Sequence, residues 1–480
     1  MSTASRRTLL GHAVAPSALA AGAVCLLALL PGLGWAGQSQ PAPRLSDGRS
    51  GGDSRLVWRR TWNTVPPGTL TNPQVASSAI GRAYVAATLQ RLETGLCDIG
   101  LVAFSPSGAL RWTQTWDGEG AGDDRAMDIA RDRHGCILIC GSTRMLDGDL
   151  DWCVLKYGAD GQLRWARTLC GTTAGEDRAV SLTVDRDRNV YATGSVANEG
   201  CGLDWMTAKY SPAGVLLWSR TYDGAAHGDD EAVGLALDAR ANVYVTGSVW
   251  SSQGGRDVVT TRYGSTGGRV WLRRWVNTNL ADGDDVPHDI AVRDCGVVVV
   301  GSWTNEVSVD CLAIVYRRDG RRRWWHTMAG HAYRADEYTS VGMDAKGRIV
   351  AGGQLAHWSM AMGERMQDYL VVWYTPGGDM PQWMLVHGTA HPVDGVVSGR
   401  VNDVLVSSHG DAWITGWTTG EVGGRDVCTE SFCPDRMTRW GRSWDALTSD
   451  DVGQSLSLSS DALFVAGLRG ADLLLLKYRR

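Results

Sequence analysis

Tryptophan recurs along this chain at a nearly constant interval, and that interval constrains the fold more than any other feature. The recurring residues lie 53 or 54 residues apart at first and 59 and 57 residues apart at the end. They are Trp58, Trp112, Trp165, Trp218, Trp271, Trp324, Trp383 and Trp440. A period above 50 residues is too long for most solenoid repeats and is typical of a β-propeller blade.

The third unit shows the internal organisation of the repeat. Its acidic pair, Glu176-Asp177, precedes three apolar or β-branched runs at 179–185, 189–194 and 204–210, and a fourth run carries Trp218. Short runs with period-two patterning, separated by Gly, Asp or Asn, predict a four-stranded antiparallel meander. The chain has 22 tryptophans against 3 phenylalanines, so we interpret the recurring tryptophans as structural anchors at the blade junctions.

The two ends of the repeat region are incomplete in complementary ways. A lone tryptophan-bearing strand at 55–62 precedes the first full unit, and the last unit has three runs but no fourth. Pairing these ends would complete an eighth blade and remove exposed sheet edges. The sequence therefore predicts an all-β fold, a single propeller of eight four-stranded blades over residues 55–480, with seven blades as the alternative.

The first 36 residues predict an export signal peptide. Arg6 and Arg7 precede an uncharged apolar run at 13–33, and small residues surround a cleavage point after Ala36. The arginine pair also fits a twin-arginine signal. Residues 37–54 are expected to form a flexible linker. We therefore expect a protein exported to the periplasm, the cell surface or the medium, with no transmembrane anchor in the mature chain.

Residues 238–271 resemble the repeat of bacterial secreted β-propeller proteins of the SBBP type. The matching positions are Asp238, the run 242–247 (Asn-Val-Tyr-Val-Thr-Gly), Asp257, Arg262-Tyr263, Gly267 and Trp271. The resemblance implies a propeller and an extracytoplasmic setting, and it brings no shared catalytic residues. The Gly-x-x-x-Trp strands are also similar to those of eight-bladed quinoprotein dehydrogenases, which makes such an enzyme an alternative. Those enzymes typically carry a vicinal cysteine pair, and no two cysteines are adjacent here.

An acidic pair recurs in the loop from each outer strand to the next inner strand, and these loops are expected at one mouth of the central channel. Calcium and other hard cations bind several carboxylate oxygens at once, so the acids form a candidate cation site. In the competing interpretation each Asp accepts backbone N–H bonds in its own turn. The acids are Asp123, Asp124, Glu176, Asp177, Asp229, Asp230, Asp284, Asp285, Asp336, Glu337, Asp394, Asp450 and Asp451.

The sixth unit is the least regular. Its inserted residues 355–367 include His357, Met360, Met362 and Met366. Thioether and imidazole ligands suit copper(I), and an apolar methionine-rich flap is the alternative.

Ten cysteines follow Cys25, and their spacings match no zinc motif. Their even number permits disulfides in an exported chain, and Cys140 with Cys153 is one candidate pair.

The formal net charge of −5 provides no general attraction to nucleic acid, and the chain has neither a Gly-x-Ser-x-Gly elbow nor a phosphate loop. The sequence favours a monomeric, non-enzymatic scaffold that binds a protein, a glycan or a small ligand. A calcium- or copper-binding propeller and a quinoprotein enzyme are the alternatives.

Overall fold

A computed structural model describes residues 55–62, 68–120, 122–276, 283–330, 335–359, 364–378, 380–387, 398–419, 424–444 and 450–480. The described residues form 32 β-strands, which pair into eight four-stranded antiparallel sheets. These sheets are the blades of a propeller, so the predicted all-β fold is confirmed with eight blades and not seven. The expected signal peptide at 1–36 and linker at 37–54 lie outside the described residues.

Blades one to seven each consist of four consecutive strands, numbered from the channel outward. The first three blades contain β2 (Gly68–Ser77), β3 (Ala83–Arg91), β4 (Cys97–Phe104), β5 (Leu110–Trp116); β6 (Arg125–Arg131), β7 (Ile137–Arg144), β8 (Leu150–Tyr157), β9 (Leu163–Leu169); and β10 (Arg178–Val184), β11 (Val190–Asn198), β12 (Gly202–Tyr210), β13 (Leu216–Tyr222). The fourth and fifth contain β14 (Glu231–Leu237), β15 (Val243–Trp250), β16 (Arg256–Tyr263), β17 (Arg269–Trp275); and β18 (Val286–Arg293), β19 (Gly296–Thr304), β20 (Val309–Tyr316), β21 (Arg322–Met328). The sixth and seventh contain β22 (Glu337–Met343), β23 (Ile349–Ser359), β24 (Glu364–Tyr374), β25 (Pro381–His387); and β26 (Gly399–Val406), β27 (Ala412–Thr419), β28 (Arg425–Phe432), β29 (Thr438–Trp444). The eighth combines β30 (Asp451–Leu458), β31 (Ala462–Arg469) and β32 (Asp472–Arg479) with β1 (Leu56–Trp62).

The position of a strand within its blade explains its composition. Neighbouring blades cover both faces of the two middle strands, so β8 is buried at every position and β7 at all but its last. Such strands are continuously apolar because neither face meets water. The fourth strand lies at the outer edge, and β9 fully buries only Trp165. Period-two patterning is consequently clearest in the outer strands.

The eighth blade closes the ring with strands from both ends of the repeat region. Strand β1 pairs antiparallel with β32 from Trp58 opposite Lys477 to Trp62 opposite Leu473. The backbone N–H of Arg479 donates to the carbonyl oxygen of Arg55 at 2.7 Å. The predicted closure is confirmed, and it gives the eighth blade the fourth strand that the C-terminal strands lack.

The recurring tryptophans dock onto glycines of the next blade. The indole of Trp165 covers Gly214, where an added Cβ would lie 2.8 Å from the ring, and Gly214 has a φ of +80°. Glycine is therefore required for both space and backbone conformation. Trp165 Nε1 donates to the Pro212 carbonyl oxygen at 3.1 Å. The same docking joins Trp58 to Gly108, Trp112 to Gly161, Trp218 to Gly267 and Trp271 to Gly320.

The last three anchors pack on aromatic rings. The centroid distances to rings of the following blade are 5.3 Å for Trp324 with Tyr374, 6.1 Å for Trp383 with Phe432, and 5.2 Å for Trp440 with Tyr478. The Gly-x-x-x-Trp motif thus links a blade to both of its neighbours. In most blades the glycine of the motif contacts the tryptophan of the preceding blade, and the tryptophan of the motif packs on the following blade.

The innermost strand of each blade carries a β-bulge at an equivalent position. The pairing register shifts between Ala126 and Asp128 in the second blade and between Ala179 and Ser181 in the third. A bulge bends the strand and redirects a side chain. The residues that follow the bulges are Gln74, Asp128, Ser181, Gly234, Asp289, Ser340, Asp403 and Ser455.

Within the described part of the chain, no helix has the length and apolar character needed to cross a membrane.

Candidate functional site

Polar side chains surround the central channel at the level of the bulges. A cavity of about 350 Å³ is lined there by Asp128, Asp289 and Asp403, together with Ser340 and Ser455. We call the residues that follow the bulges, apart from Gly234, the channel ring. No repeated motif of the sequence indicated a role for this ring.

Five members of the channel ring bond to the following blade. Asp128 accepts a hydrogen bond from the backbone N–H of Leu182 in the following blade at 2.9 Å, and one from Ile129 in its own strand at 2.7 Å. The bond between blades recurs for Asp289 with Val341 (2.8 Å), Ser340 with Val404 (3.2 Å), Asp403 with Leu456 (2.7 Å) and Ser455 with Val75 (3.2 Å). The last of these bonds crosses the closure between the eighth and first blades.

The bulge residues add a second set of bonds between blades. Each places a side-chain nitrogen or hydroxyl against a backbone carbonyl oxygen of the following blade. The pairs are Asn72 with Ala126 (3.0 Å), His288 with Tyr338 (3.0 Å), Thr339 with Val401 (2.6 Å) and Asn402 with Gly453 (2.8 Å). Within the described residues, the two sets of hydrogen bonds together span six of the eight junctions between blades, all except those on either side of the fourth blade.

Burial raises the pKa of the three aspartates of the channel ring. The pKa rises to about 6 for Asp128 and Asp289 and to about 7 for Asp403, although backbone N–H bonds oppose the shift. The charge of Asp289 adds to the rise at both other residues. These three aspartates consequently gain and lose a proton near neutral pH, unlike ordinary surface aspartates.

Two groups of ion pairs join acids at the start of inner strands to arginines of nearby strands. Glu231 lies 3.3 Å from Arg178 and 3.5 Å from Arg256, and Glu337 lies 3.1 Å from Arg400. These side chains are partly exposed, so each pair contributes little to stability, about 0–1 kcal/mol. Glu337, one of the predicted acids, therefore lies in a mixed-charge environment.

In five of the predicted pairs one acid, the second in four of them and the first in Asp336-Glu337, holds the loop between two blades through backbone hydrogen bonds. We call the face that carries these loops, and the turns between second and third strands, the upper face. Asp230 accepts hydrogen bonds from the backbone N–H of Gly224 and from that of Trp250 at 2.9 Å, and its own N–H donates to the Leu203 carbonyl oxygen at 2.6 Å. Equivalent carboxylates accept N–H bonds in other blades: Asp124 from Gly118 and Arg144, Asp177 from Gly171 and Ala197, Asp285 from Thr304, and Asp336 from Gly330 and Ala356.

The first acid of most pairs lies closer to solvent and contacts the start of the third strand of the preceding blade. These acids accept backbone N–H bonds at 2.9–3.0 Å: Asp123 from Cys97, Asp229 from Leu203, Asp284 from Arg256 and Asp450 from Arg425. Glu176 is exposed, Asp451 is buried in β30, and Asp394 lies outside the described residues.

The structure brings two of the predicted acids into carboxylate groups. Asp124 lies in a group with Asp98 and Asp117, and Asp230 lies in an equivalent group with Asp204 and Asp223. In each group the oxygens lie within 4.8 Å of one another. Within the described ranges, each group combines one acid of a blade with two acids of the loop that leads to the next blade. A calcium site formed by several blades stays a hypothesis.

The irregular sixth blade carries an extended hairpin. Strands β23 and β24 pair at eleven positions, against eight for β7 and β8. The three extra pairs lengthen the hairpin by about 10 Å at the usual rise per residue. His357 and Met366 are paired in this extension, whereas Met360 and Met362 lie outside the described residues. Copper binding by these four residues stays a prediction.

The ten cysteines of the described residues are all unpaired. Cys140 lies opposite Val154, and Cys153 lies opposite Gly141. Because adjacent positions face opposite sides of a sheet, Cys140 packs toward the third blade and Cys153 toward the first. The predicted Cys140–Cys153 pair is therefore wrong.

No protein-family model matches the chain, and no curated protein matches it. Several solved structures are similar at low identity. A eukaryotic initiation factor has a TM-score of 0.43 and 10% identity over 85% of this chain and 90% of its own. Drosophila Plexin A in complex with Semaphorin 1b has a TM-score of 0.41 and 10% identity over 88% of this chain and 87% of its own. A protein of unknown function from Dyadobacter fermentans has a TM-score of 0.41 and 9% identity over 92% of this chain and 100% of its own.

Proposed function

We propose that this protein is an exported, non-enzymatic binding scaffold whose upper face receives a protein, a glycan or a small ligand. The observation that carries the proposal is the extended β23–β24 hairpin on an otherwise regular ring. The predicted signal peptide supports export.

The regular blades use their repeated residues for structure. Tryptophans dock on glycines, buried aspartates fasten the loops, and the channel ring links neighbouring blades. These three kinds of contact make the ring a rigid scaffold. Binding residues act best when a rigid scaffold positions them.

The hairpin extension lies beyond these contacts. Ala356, whose backbone N–H donates to Asp336 at 2.5 Å, is the last residue of β23 in this network. The three residue pairs that follow extend the hairpin past these contacts, and we infer that they take part in recognition. We therefore assign the specificity of the scaffold to residues 357–366.

A shortened hairpin tests this assignment. Ala356 and Gln367 are paired, so a two-residue Asn-Gly turn can join them in place of residues 357–366. The control replaces residues 92–96, the equivalent turn of the first blade, with a Gly-Ser turn of equal length. Both variants and the native mature chain are applied to a defined glycan array and to proteins of the exported fraction of the source cell, quantified by mass spectrometry.

We expect native binding in the control, and at least a tenfold loss of the same signals in the shortened variant, with melting temperatures of all three within about 2 °C. Undiminished binding by the shortened variant would place recognition elsewhere. Unfolding of that variant would show that the hairpin is structural, and either result overturns the proposal.

A further inference from the structure

Three potential metal ligands meet on the upper face of the third blade. Cys201 lies in the turn between β11 and β12, and Asp223 and His227 lie in the loop after β13. One ligand atom from each lies within 4.8 Å of the others. His227 Nδ1 is 2.6 Å from Asp223 Oδ2 and 4.0 Å from Cys201 Sγ. Two atoms that each bind one zinc ion at about 2.0–2.3 Å are at most about 4.6 Å apart, so small side-chain adjustments bring all three within reach of one ion.

A buried carboxylate beside this group lacks a partner for one oxygen. Asp204, only 4% exposed, belongs to the same carboxylate group as Asp223. Its Oδ2 accepts a hydrogen bond from Asn198 at 2.8 Å, but its Oδ1 has no hydrogen-bond partner among the residues that the structure describes. A buried charged acceptor without a partner is costly, and a bound cation would satisfy it.

The first blade holds the same carboxylates together with an internal cation. Its group of Asp98, Asp117 and Asp124 is bridged by Arg91, which lies 2.5 Å from Asp98 and 2.7 Å from Asp117. Arg91 is the last residue of β3, and the last residue of the equivalent strand in the third blade is Asn198. The third blade therefore keeps the three acids without the guanidinium.

The fourth blade supports the same comparison. There Asp257, the counterpart of Asp204, forms an ion pair with Arg274. In the third blade, the described neighbours of Asp204 instead include Cys201 and His227, which provide sulfur and nitrogen ligands. A carboxylate group that lacks a permanent cation and gains such ligands has the composition of a metal site.

A nucleophilic arrangement does not account for these residues. The thiol of Cys201 and the carboxylate of Asp223 both approach Nδ1 of His227, whereas a catalytic triad uses opposite ring nitrogens. Hydrogen bonding to Asp223 also raises the pKa of the Cys201 thiol, which is the reverse of nucleophile activation.

We propose that Cys201, Asp204, Asp223 and His227 bind one zinc-type divalent cation on the third blade. The sulfur and nitrogen ligands favour zinc over calcium, which takes oxygen ligands almost alone. The site is separate from the sixth-blade hairpin and does not depend on the function proposed for it.

Cobalt(II) is the probe for the test because thiolate coordination gives it a sulfur-to-metal charge-transfer band. The metal-free mature protein is titrated with Co²⁺, and Zn²⁺ is then added in competition. We expect one equivalent of Co²⁺ to bind with that band, Zn²⁺ to displace it, and a hundredfold excess of Ca²⁺ to leave it unchanged. Cys201→Ser should abolish the band, and Asp204→Asn should weaken Zn²⁺ binding at least tenfold.

Matched variants separate this site from general metal binding. Cys170→Ser and His134→Ala remove an exposed cysteine and an exposed histidine elsewhere and should bind as the native protein does. Asn198→Arg restores the residue type of the first blade and should weaken Zn²⁺ binding at least tenfold without lowering the melting temperature of the metal-free protein. Absence of the band, its survival in Cys201→Ser, or displacement of Co²⁺ by Ca²⁺ would overturn the proposal.

Discussion

Replacing Asp403 with asparagine tests the electrostatics of the channel ring. Asparagine keeps an oxygen that can accept the 2.7 Å hydrogen bond from the backbone N–H of Leu456, but it cannot ionise. Burial raises the pKa of Asp403 to about 7, whereas an aspartate in the unfolded chain has a pKa of about 3.9. Between these values the folded protein retains a proton that the unfolded chain releases. The stability linked to this group is therefore fully present at low pH and is lost as the pH rises through about 7.

The shift sets an upper limit on the effect. A rise of about three pKa units corresponds to about 4 kcal/mol at 1.36 kcal/mol per unit, and water in the channel reduces this by screening. At pH 5 the native side chain is neutral and resembles asparagine. At pH 8 it is a half-buried anion beside Asp289. At pH 5 the unfolded aspartate is already ionised, so about two of the three units remain, and we expect Asp403→Asn to gain about 1–3 kcal/mol relative to the native protein between pH 5 and pH 8.

Urea unfolding at constant ionic strength over that pH range measures the difference. Asp435→Asn, on an exposed turn, is the control and should follow the native pH profile. If the Asp403→Asn profile also runs parallel to the native one, Asp403 does not change its protonation on folding, and the reasoning about the channel ring is refuted.

Two further predictions concern the blade junctions. In urea unfolding, Gly214→Ala should destabilise the protein by about 1–3 kcal/mol more than Gly148→Ala does. Both glycines have a positive φ, but only Gly214 lies against an indole. An equal loss of stability in the two variants would contradict the docking argument. By the same unfolding curves, Trp218→Ala should lower the free energy of unfolding by about 3–5 kcal/mol. Trp250→Ala should lower it by less than half as much, because Trp250 is 41% exposed. A similar loss in both variants would show that the recurring tryptophans are not special anchors.

The fold could be predicted because every unit of the sequence repeats the same strand pattern and the same tryptophan. The Trp165-to-Trp218 interval contains one complete blade, and the incomplete units around Trp58 and Tyr478 predicted their own pairing. Glycine docking explains why Gly and Trp recur together: Gly214 has no alternative that fits both its φ and the indole above it.

The channel ring could not be predicted in the same way. Asp128, Asp289 and Asp403 occur in only three blades, and serine or glutamine replaces them in most others. A β-bulge also precedes each of them, so strict alternation along the strand places them on the wrong face. Their role depends on the register between blades, which a single strand does not encode.

The metal ligands of the third blade were missed for a related reason. Cys201 and Asp223 are far apart in sequence and meet only because a hairpin turn and a blade-connecting loop lie side by side on the upper face. Spacing rules for zinc motifs describe ligands within one short segment. The useful signal was a comparison between units, since Asn198 replaces an arginine that neutralises the same acids in the first blade.

In this propeller, positions shared by all blades carry the fold, and departures from the shared pattern are where specific chemistry is possible. Two departures lie on the upper face: the three extra residue pairs of the β23–β24 hairpin and the uncompensated carboxylates around Asp204. They are on different blades, so a ligand large enough to contact both would span the channel mouth. If metal binding and hairpin-dependent binding are coupled, adding Zn²⁺ should change the affinity of the protein for the ligand that binds the hairpin. If the two sites are independent, the shortened-hairpin variant should bind Zn²⁺ as the native protein does.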